Sequence, residues 1–444
     1  MSAAHPFRSG ARYPGRTVRS RRALAQALLL CVLASGESGA QLTSASAAAL
    51  GFADSYLALA SGADAPAWSP ARLAMRGSPH LEVRVLPVRV IAGLHVVTLG
   101  VVAAYLDTIV PVEFNRGYVG RITGEVSERG TSGFEGTVLA VSRGRFAMQF
   151  ASLGRSLQRI APDPAILERF GDPASEGRLT FAGARYDVAV SSTVALSYAQ
   201  PVAPKHLAIR GHSIAIGATV KYTVGHALIV GEDRGSLLTR TPLELGIDFP
   251  VIASDTIFDT PEHKGDGVGL DVGAAWTFGR WSTAVAIRNI VNTFRWNSSE
   301  FIFRPGTARF TRDSAVADFD AQSFVHAPAH LRARLRELTW RPTLGAGVAF
   351  RPRRKLVIAA DVRRDLGDGL EIAPRTHAGV GVEYRAIPEL PIRAGVAAVT
   401  DGMQYASGAG IDYRSLSLSL AVARRTTSVG GATIGMLSLA FVRR

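Results

Sequence analysis

The stretch SLSLSLAVA, Ser415 to Ala423, places Leu416, Leu418, Leu420 and Val422 on one side of a strand and Ser415, Ser417, Ser419, Ala421 and Ala423 on the other. A period of two is the strand signature, but it leaves open which face meets water. In a soluble sandwich the leucines face a core. In a membrane barrel they face lipid, and the serines line the interior.

Bulk composition narrows the choice. Hydrophobic residues make up 47% of the 444 and charged residues only 19%, below the usual quarter. Yet no run approaches the roughly 20 apolar residues of a membrane helix. Many of the 45 glycines lie inside apolar segments, where helices tolerate them poorly. Apolar content spread this way suits many half-apolar strands. The formal charge is +14, and Lys205, Lys221, Lys264 and Lys355 are the only lysines. The arginines are scattered, mostly near predicted strand ends and loops. Solvated loops and lipid headgroup contact account for them better than a nucleic-acid surface does.

Residues 1–40 read as a secretory signal peptide. Arg19, Arg21 and Arg22 form the basic region, Ala23–Ala34 a short apolar region, and Ser38 and Ala40 the small residues before a cleavage site. The one cysteine, Cys31, lies in that apolar region, so the mature chain is expected to have no disulfide and no thiolate metal site.

From Leu81 onward, fourteen segments read as strands: 81–91, 134–142, 144–153, 185–200, 211–228, 267–278, 280–291, 338–350, 355–364, 374–385, 391–400, 404–413, 415–424 and 432–442. An even number suits a closed single-chain barrel. Tight turns (SRGR, FGRW, RPRRK, YRS) alternate with connections that include long ones at about 92–133, 154–184, 229–266 and 292–337. Sorting of short and long loops to opposite ends is what barrels with short periplasmic turns and long outer loops do. Two connections carry helical signals: 163–171, with Asp163 before Pro164 and Gly171 at the end, and the basic amphipathic 327–340, either a headgroup-contacting or a solvated outer-loop helix.

The faces agree with a barrel. Val268, Leu270, Val272, Ala274, Trp276 and Phe278 oppose Gly267, Gly269, Asp271, Gly273, Ala275 and Thr277. The non-lipid face is small or charged, with Lys221, Asp271, Arg288, Asp361, Arg363, Glu383 and Arg385 as lumen-facing candidates. Such a face leaves room for a plug or ligand against a curved wall. Tyr198, Tyr222, Trp276, Trp281 and Tyr384, with Phe278, are candidates for an aromatic girdle.

Residues 41–80 precede the strands. Gly51 and Gly62 interrupt helices there, Pro66 and Pro70 fix turns, and the small residues allow tight packing in a narrow space. Ala45–Ala74 resembles the opening of the FadL-like outer-membrane proteins, the long-chain fatty-acid transporter superfamily, at Leu50, Gly51, Ala58, Asp64, Ala65, Trp68, Pro70, Ala71, Leu73 and Ala74. Ser69, Arg72 and Ala53 depart from the pattern. Gly265–Trp296 resembles a recurrent strand pair of the same superfamily, and the 154–184 insertion is more similar to PorV-type relatives. The resemblance implies an all-β fold: a transmembrane antiparallel barrel of about 14 strands, residues 81–444, with an N-terminal lumenal hatch at 41–80 in which Leu50, Gly51, Asp64, Ala65, Trp68 and Pro70 take part. One departure is the end of the chain, where Phe441 is followed by Val442, Arg443 and Arg444 instead of being the last residue.

No H-E-x-x-H or G-x-S-x-G occurs, and the paired glycines of GDGVG fall at strict period two without a strand-turn-helix context. An enzyme, a cofactor and a metal are therefore not expected. Asp259, Glu262 and Asp266 form an acidic loop without regular Ca²⁺-loop spacing, better read as solvated. The expected role is hatch-gated passive uptake of hydrophobic or amphiphilic small molecules across the outer membrane of a Gram-negative-type bacterium. Lys221, Arg288 and Arg385 could there meet a carboxylate, although pairing with Asp271, Asp361 and Glu383 is the stronger reading for each. The alternative is a PorV-like accessory that tethers a secreted protein through its outer loops. Expected partners are outer-membrane lipid, a hydrophobic small-molecule ligand or a secreted protein, and the barrel-insertion machinery.

Overall fold

The computed structural model describes residues 42–93, 128–160, 178–180, 183–202, 207, 211–240, 243–254, 263–311, 313–367, 369, 374–400, 402–427 and 430–443. The expected signal peptide, the expected helix at 163–171, and Asp259 and Glu262 lie outside the described residues.

Fourteen long strands build the wall. They are β1 (Leu81–Ala92), β2 (Glu128–Arg143), β3 (Phe146–Ile160), β4 (Arg185–Pro201), β5 (Ser213–Glu232), β6 (Gly265–Phe278), β7 (Trp281–Asn292), β8 (Thr343–Arg353), β9 (Leu356–Asp365), β10 (Thr376–Tyr384), β11 (Ile392–Val399), β12 (Gly402–Tyr413), β13 (Leu416–Thr427) and β14 (Gly430–Arg443). Each pairs antiparallel with the next, and β14 pairs with β1 from Leu81↔Arg443 to Ala92↔Thr433, closing the barrel. Closure leaves no open edge in the wall.

Turn chemistry explains one rim. Arg143↔Phe146, Phe278↔Trp281 and Tyr413↔Leu416 flank two-residue turns. Gly144, Gly279 and Arg414 there adopt positive φ (58°, 56° and 53°), as hairpin turns that match strand twist require. At the opposite rim several strands run on beyond the sequence-based limits: β2 begins at Glu128, β3 reaches Ile160 and β5 reaches Glu232. A five-stranded sheet (178–180, 237–240, 243–248, 307–311, 315–318) is built from the long connections. No helix among the described residues is long and apolar enough to cross a membrane.

Leu416, Leu418, Leu420 and Val422 are 53%, 43%, 56% and 51% exposed, whereas Ser419, Ala421 and Ala423 are buried. The barrel is inside-out relative to a soluble protein: its large apolar residues point outward and its small and polar ones are packed. Val194, Leu196, Ile216, Val220, Val285, Val362 and Leu437 are likewise exposed.

Exposed aromatics mark two levels of this belt. Near the short-turn rim stand Tyr198, packed on Phe146 at 4.8 Å, Trp281, stacked on Phe350 at 4.4 Å, and Tyr384. Trp276 is half-buried there, donating Nε1–H to His212 Nδ1 at 3.0 Å. Tyr222 sits instead well up β5, with Phe134 and Tyr405 at corresponding heights on β2 and β12. The two levels are eight or nine residues apart, roughly 20 Å once strand tilt is taken out.

Candidate functional site

The lumen is filled by residues 42–75, which pair with no strand of the wall. Ser46 caps α1 (Ala47–Gly51), its Oγ accepting from Ala48 N, and the helix stops at Gly51. Pro66 opens the short α2 (Ala65–Trp68), and Gly62 (φ 56°) turns the chain between the two. Leu50, Gly51, Asp64, Ala65, Trp68 and Pro70 are all buried.

Inner-face glycines let the segment reach the wall's backbone. A Cβ on Gly217 would stand 2.5 Å from Ala71 N, and one on Gly381 would stand 2.5 Å from Phe52 Cδ1. Gly273, Gly345 and Gly395 meet Ser69, Leu57 and Phe52 in the same way. The glycine-rich face read from sequence thus has a mechanical cause: it is the seat of the segment.

Polar contacts complete the seat. Thr43 and Thr137 hydroxyls are 3.1 Å apart, and Gln149 donates to Thr43 O at 2.6 Å. Ala47 N donates to Ser438 Oγ at 2.9 Å. Tyr56 N and Leu57 N both donate to Asp361 Oδ2, at 2.9 and 3.2 Å. Glu82 Oε2 accepts from Ala63 N at 3.0 Å. Asp64 accepts from Ala45 N at 2.6 Å and from Ser44 Oγ at 3.2 Å. Burial, aided by nearby Glu82, outweighs Arg84, Ala45 and Ser44 and pushes the Asp64 carboxyl up to about 6. Arg72, where the resembled pattern has glycine, donates Nε–H to Ala60 O at 3.0 Å, and burial lowers its guanidinium to about 10.

Asp54 is the hub, a residue that sequence reasoning did not single out. It adopts positive φ (64°) and accepts from both terminal nitrogens of Arg89 and from Gln404 Nε2. Its own carbonyl accepts from Arg363 Nη2 at 2.8 Å, while His377 Nε2 donates to the carbonyl of Ala53 at 2.8 Å. Burial opposes ionisation of Asp54, but Arg89 and Arg363 outweigh it and hold the carboxyl well below the usual carboxylate range. Arg89 points inward because the bulge at Leu86 (φ 49°) reverses the phase of β1, which hides it from a simple period-two reading.

The seven lumen-facing candidates divide into three groups. Asp361, Arg363 and Arg288 reach the segment; Arg288 donates to Ala67 O at 3.3 Å, and Arg363 lies 5.0 Å over the Trp68 ring. Lys221 and Asp271 form a buried pair at 2.6 Å that also binds Asn289, the positive-φ residue of a bulge in β7. Glu383 and Arg385 pair at 2.7 Å near the short-turn rim, with Arg393 and Asp412. Asp266 accepts from the Tyr222 hydroxyl at 3.0 Å.

Towards the other rim, α3 (Ala329–Glu337) caps the space. Its basic, amphipathic sequence is not solvated all round: Leu331 and Leu335 are buried with Leu338 and Trp340 against Leu153, Ala189, Leu228 and Val230 of the inner wall. Arg334 bonds Asp187 at 3.0 Å, and Trp296 Nε1 donates to Leu338 O at 2.8 Å.

Fold and lumen together define a plugged fourteen-stranded barrel. A family profile described as "F plasmid transfer operon, TraF, protein" matches residues 178–363. The chain is similar in structure to a FadL homologue of Pseudomonas aeruginosa (14% identity, 92% of this chain and 100% of that chain, TM-score 0.47). It is also similar to the CymD monoaromatic hydrocarbon channel (10% identity, 90% and 98%, TM-score 0.46) and to the toluene transporter TodX of Pseudomonas putida (10% identity, 91% and 98%, TM-score 0.41). No curated protein matches its sequence.

Proposed function

We propose that the protein is an outer-membrane barrel for passive uptake of small hydrophobic or amphiphilic molecules, with residues 42–79 acting as its hatch. Export through the signal peptide and placement in the outer membrane belong to this reading. The observation that carries it is the mode of attachment. The lumenal segment contributes no strand to the wall and is held by side-chain hydrogen bonds and glycine contacts, so it can shift without breaking the barrel ladder. The apolar outer face between two aromatic levels supports a lipid setting.

The test is a reversible lock. Thr43 and Thr137 touch through their hydroxyls at 3.1 Å, a spacing compatible with a disulfide, and Cys31 of the leader is the chain's sole cysteine. Thr43→Cys with Thr137→Cys, reconstituted in liposomes, should block influx of a hydrophobic fluorophore when oxidised and restore it when reduced. Influx indifferent to the lock would refute gating by this segment.

A second reading is favoured by the five-stranded sheet. On its edge strand 315–318 and in the residues that follow it in sequence, Val316, Phe319 and Val325 are 69%, 48% and 65% exposed. An accessory that tethers a secreted protein would use this surface. Mild-detergent purification followed by mass spectrometry separates the two readings: a stoichiometric secreted protein without a small ligand would sink uptake.

A further inference from the structure

The short-turn rim carries bases without matching acids. Arg145 between β2 and β3, Arg280 between β6 and β7, Arg354 and Lys355 between β8 and β9, Arg414 between β12 and β13, and Arg443 at the end of β14 are all exposed. The hydrogen bonds they make go to neutral acceptors: Arg280 Nη1 to Pro352 O at 2.8 Å, Lys355 Nζ to Ala386 O at 3.0 Å and Arg145 Nη1 to Gln200 Oε1 at 3.1 Å. The nearby carboxylates are taken by arginines of the inner face, Glu82 by Arg84, Asp412 by Arg385, and Glu383 by Arg385 and Arg393. Glu389 is the one exposed carboxylate among the described residues of these turns. On the side of the long connections base meets acid instead, Arg185 on Glu232, Lys264 on Glu300 and Arg309 on Glu244.

The placement of these bases selects their partner. Arg443 lies two residues beyond Phe441 on β14, and Arg143 pairs across its turn with Phe146. Residues two apart, or directly paired, share a face of the sheet. Phe441 and Phe146 are exposed on the outer belt, so these two guanidiniums extend the apolar outer face by one step past its edge. Arg414 reaches the same face, its guanidinium 5.3 Å from the centroid of the exposed Tyr413 ring. Long basic side chains lay their stems on apolar surface and carry their charge to the headgroup level. There each attracts anionic headgroups over about one Debye length, and planar guanidinium forks suit phosphate oxygens. A protein docked beneath the barrel would be met by groups pointing along its axis, whereas Arg143 and Arg443 belong to its outer face.

We propose that the short-turn rim is an interaction surface for anionic phospholipid, which gathers headgroups such as phosphatidylglycerol around this edge of the barrel. That the leaflet concerned is the periplasmic one rests on the outer-membrane reading, in which short turns face the periplasm; the headgroup preference does not.

The test is tryptophan quenching by brominated lipid in phosphatidylcholine vesicles that hold the full chain. Trp281 is exposed at this rim beside Arg280, with the half-buried Trp276 near it, whereas Trp68, Trp296 and Trp340 are buried. Brominated phosphatidylglycerol, as about a tenth of the lipid, should quench at least about twofold more than brominated phosphatidylcholine at the same fraction, and the excess should vanish in about 1 M salt. Arg280→Gln with Arg354→Gln should remove most of the excess. Arg304→Gln with Arg309→Gln, two exposed charges in the long connections, should leave it in place. Equal quenching by the two lipids would overturn the proposal, as would an excess that survives salt or falls alike in both double variants. Equal quenching, with binding of polyglutamate that the rim variant abolishes, would replace the lipid by an acidic protein. Should the rim variant not insert, the salt dependence of the unaltered chain decides. If the lipid preference holds while the Thr43–Thr137 lock leaves influx unchanged, uptake fails and the surface stands.

Discussion

Asp54 and Arg89 meet through two hydrogen bonds, Nη1 to Oδ1 at 3.1 Å and Nη2 to Oδ2 at 2.9 Å, and so tie the lumenal segment to the first strand of the wall. Both residues are buried. Asparagine tolerates positive φ nearly as well as aspartate, so Asp54→Asn removes charge without straining the backbone. Arg89 would then be buried beside the partly matched Glu135, 3.9 Å from its Nε. Breaking one side of such a pair costs roughly 3–5 kcal/mol. The loss should fall on docking, because the barrel ladder is untouched. Limited proteolysis should cut within 42–79 much faster in Asp54→Asn, while the barrel keeps its heat-modifiable migration on gels. An unchanged cutting rate would show that the pair does not hold the segment.

Asp64 gives docking a pH dependence of opposite sense to that of Asp54. Its carboxyl is pushed up to about 6 by burial, with Glu82 adding to the effect and Arg84 opposing it; Tyr56 is also near. A folded-state value above the ordinary 3.8 means that its contribution is fully present below 3.8 and lost as pH rises through about 6. On the order of 1 kcal/mol of that contribution appears between pH 7.5 and pH 5. Asp54, held low, stays ionised throughout this window. Protease resistance of the segment in urea should therefore increase on acidification from pH 7.5 to 5. Asp64→Asn keeps the acceptor for Ala45 N and should flatten the dependence. A profile just as steep in that variant would assign the effect to another group.

The wall was legible because its physics is local. All fourteen strands announce themselves by period two, and Gly144 and Gly279 mark hairpins by the conformations they allow. The upper parts of β2, β3 and β5 were harder to read: there the ladder continues beyond the belt and inner residues such as Leu153 and Leu228 are apolar, packing on α3, so the contrast between faces fades. The bulge at Leu86 shifts inward positions from even to odd, which conceals Arg89. Convergence was not legible at all. Arg89, Arg155 and Arg425 come from β1, β3 and β13, and each alone looks like any inward polar residue. Only closure of the barrel and the height of each along its strand bring them to one cavity beside Asp54.

Gly381 tests whether the small inner residues serve the segment or the strand. An added Cβ would meet Phe52 Cδ1 at 2.5 Å, with the Phe52 backbone close behind. Valine favours strands, so Gly381→Val should not weaken β10 itself. Overpacking against Phe52 should cost about 1–3 kcal/mol of docking. The expected result is faster proteolysis of 42–79 and higher single-channel conductance, with the barrel still folded. If neither Gly381→Val nor the smaller Gly381→Ala speeds proteolysis, the close approach to Phe52 does not hold the segment.

Leu420 returns to the alternation at Ser415–Ala423. It is 56% exposed and sits between the rim tyrosine Tyr413 and the upper Tyr405 level, whose partner on β13 is Arg424. On a soluble protein an exposed leucine is replaced by arginine at almost no cost, within about 0.5 kcal/mol. Facing the middle of a bilayer, the same change costs about 2–4 kcal/mol. Leu420→Arg should therefore lower the stability of the barrel folded into vesicles by that amount, measured by reversible guanidinium unfolding. Leu416→Arg, at the short-turn rim, should cost about 0–1 kcal/mol because its charge reaches the headgroups. A depth-dependent pair of values requires lipid outside the leucines; two equally small values would put water there instead.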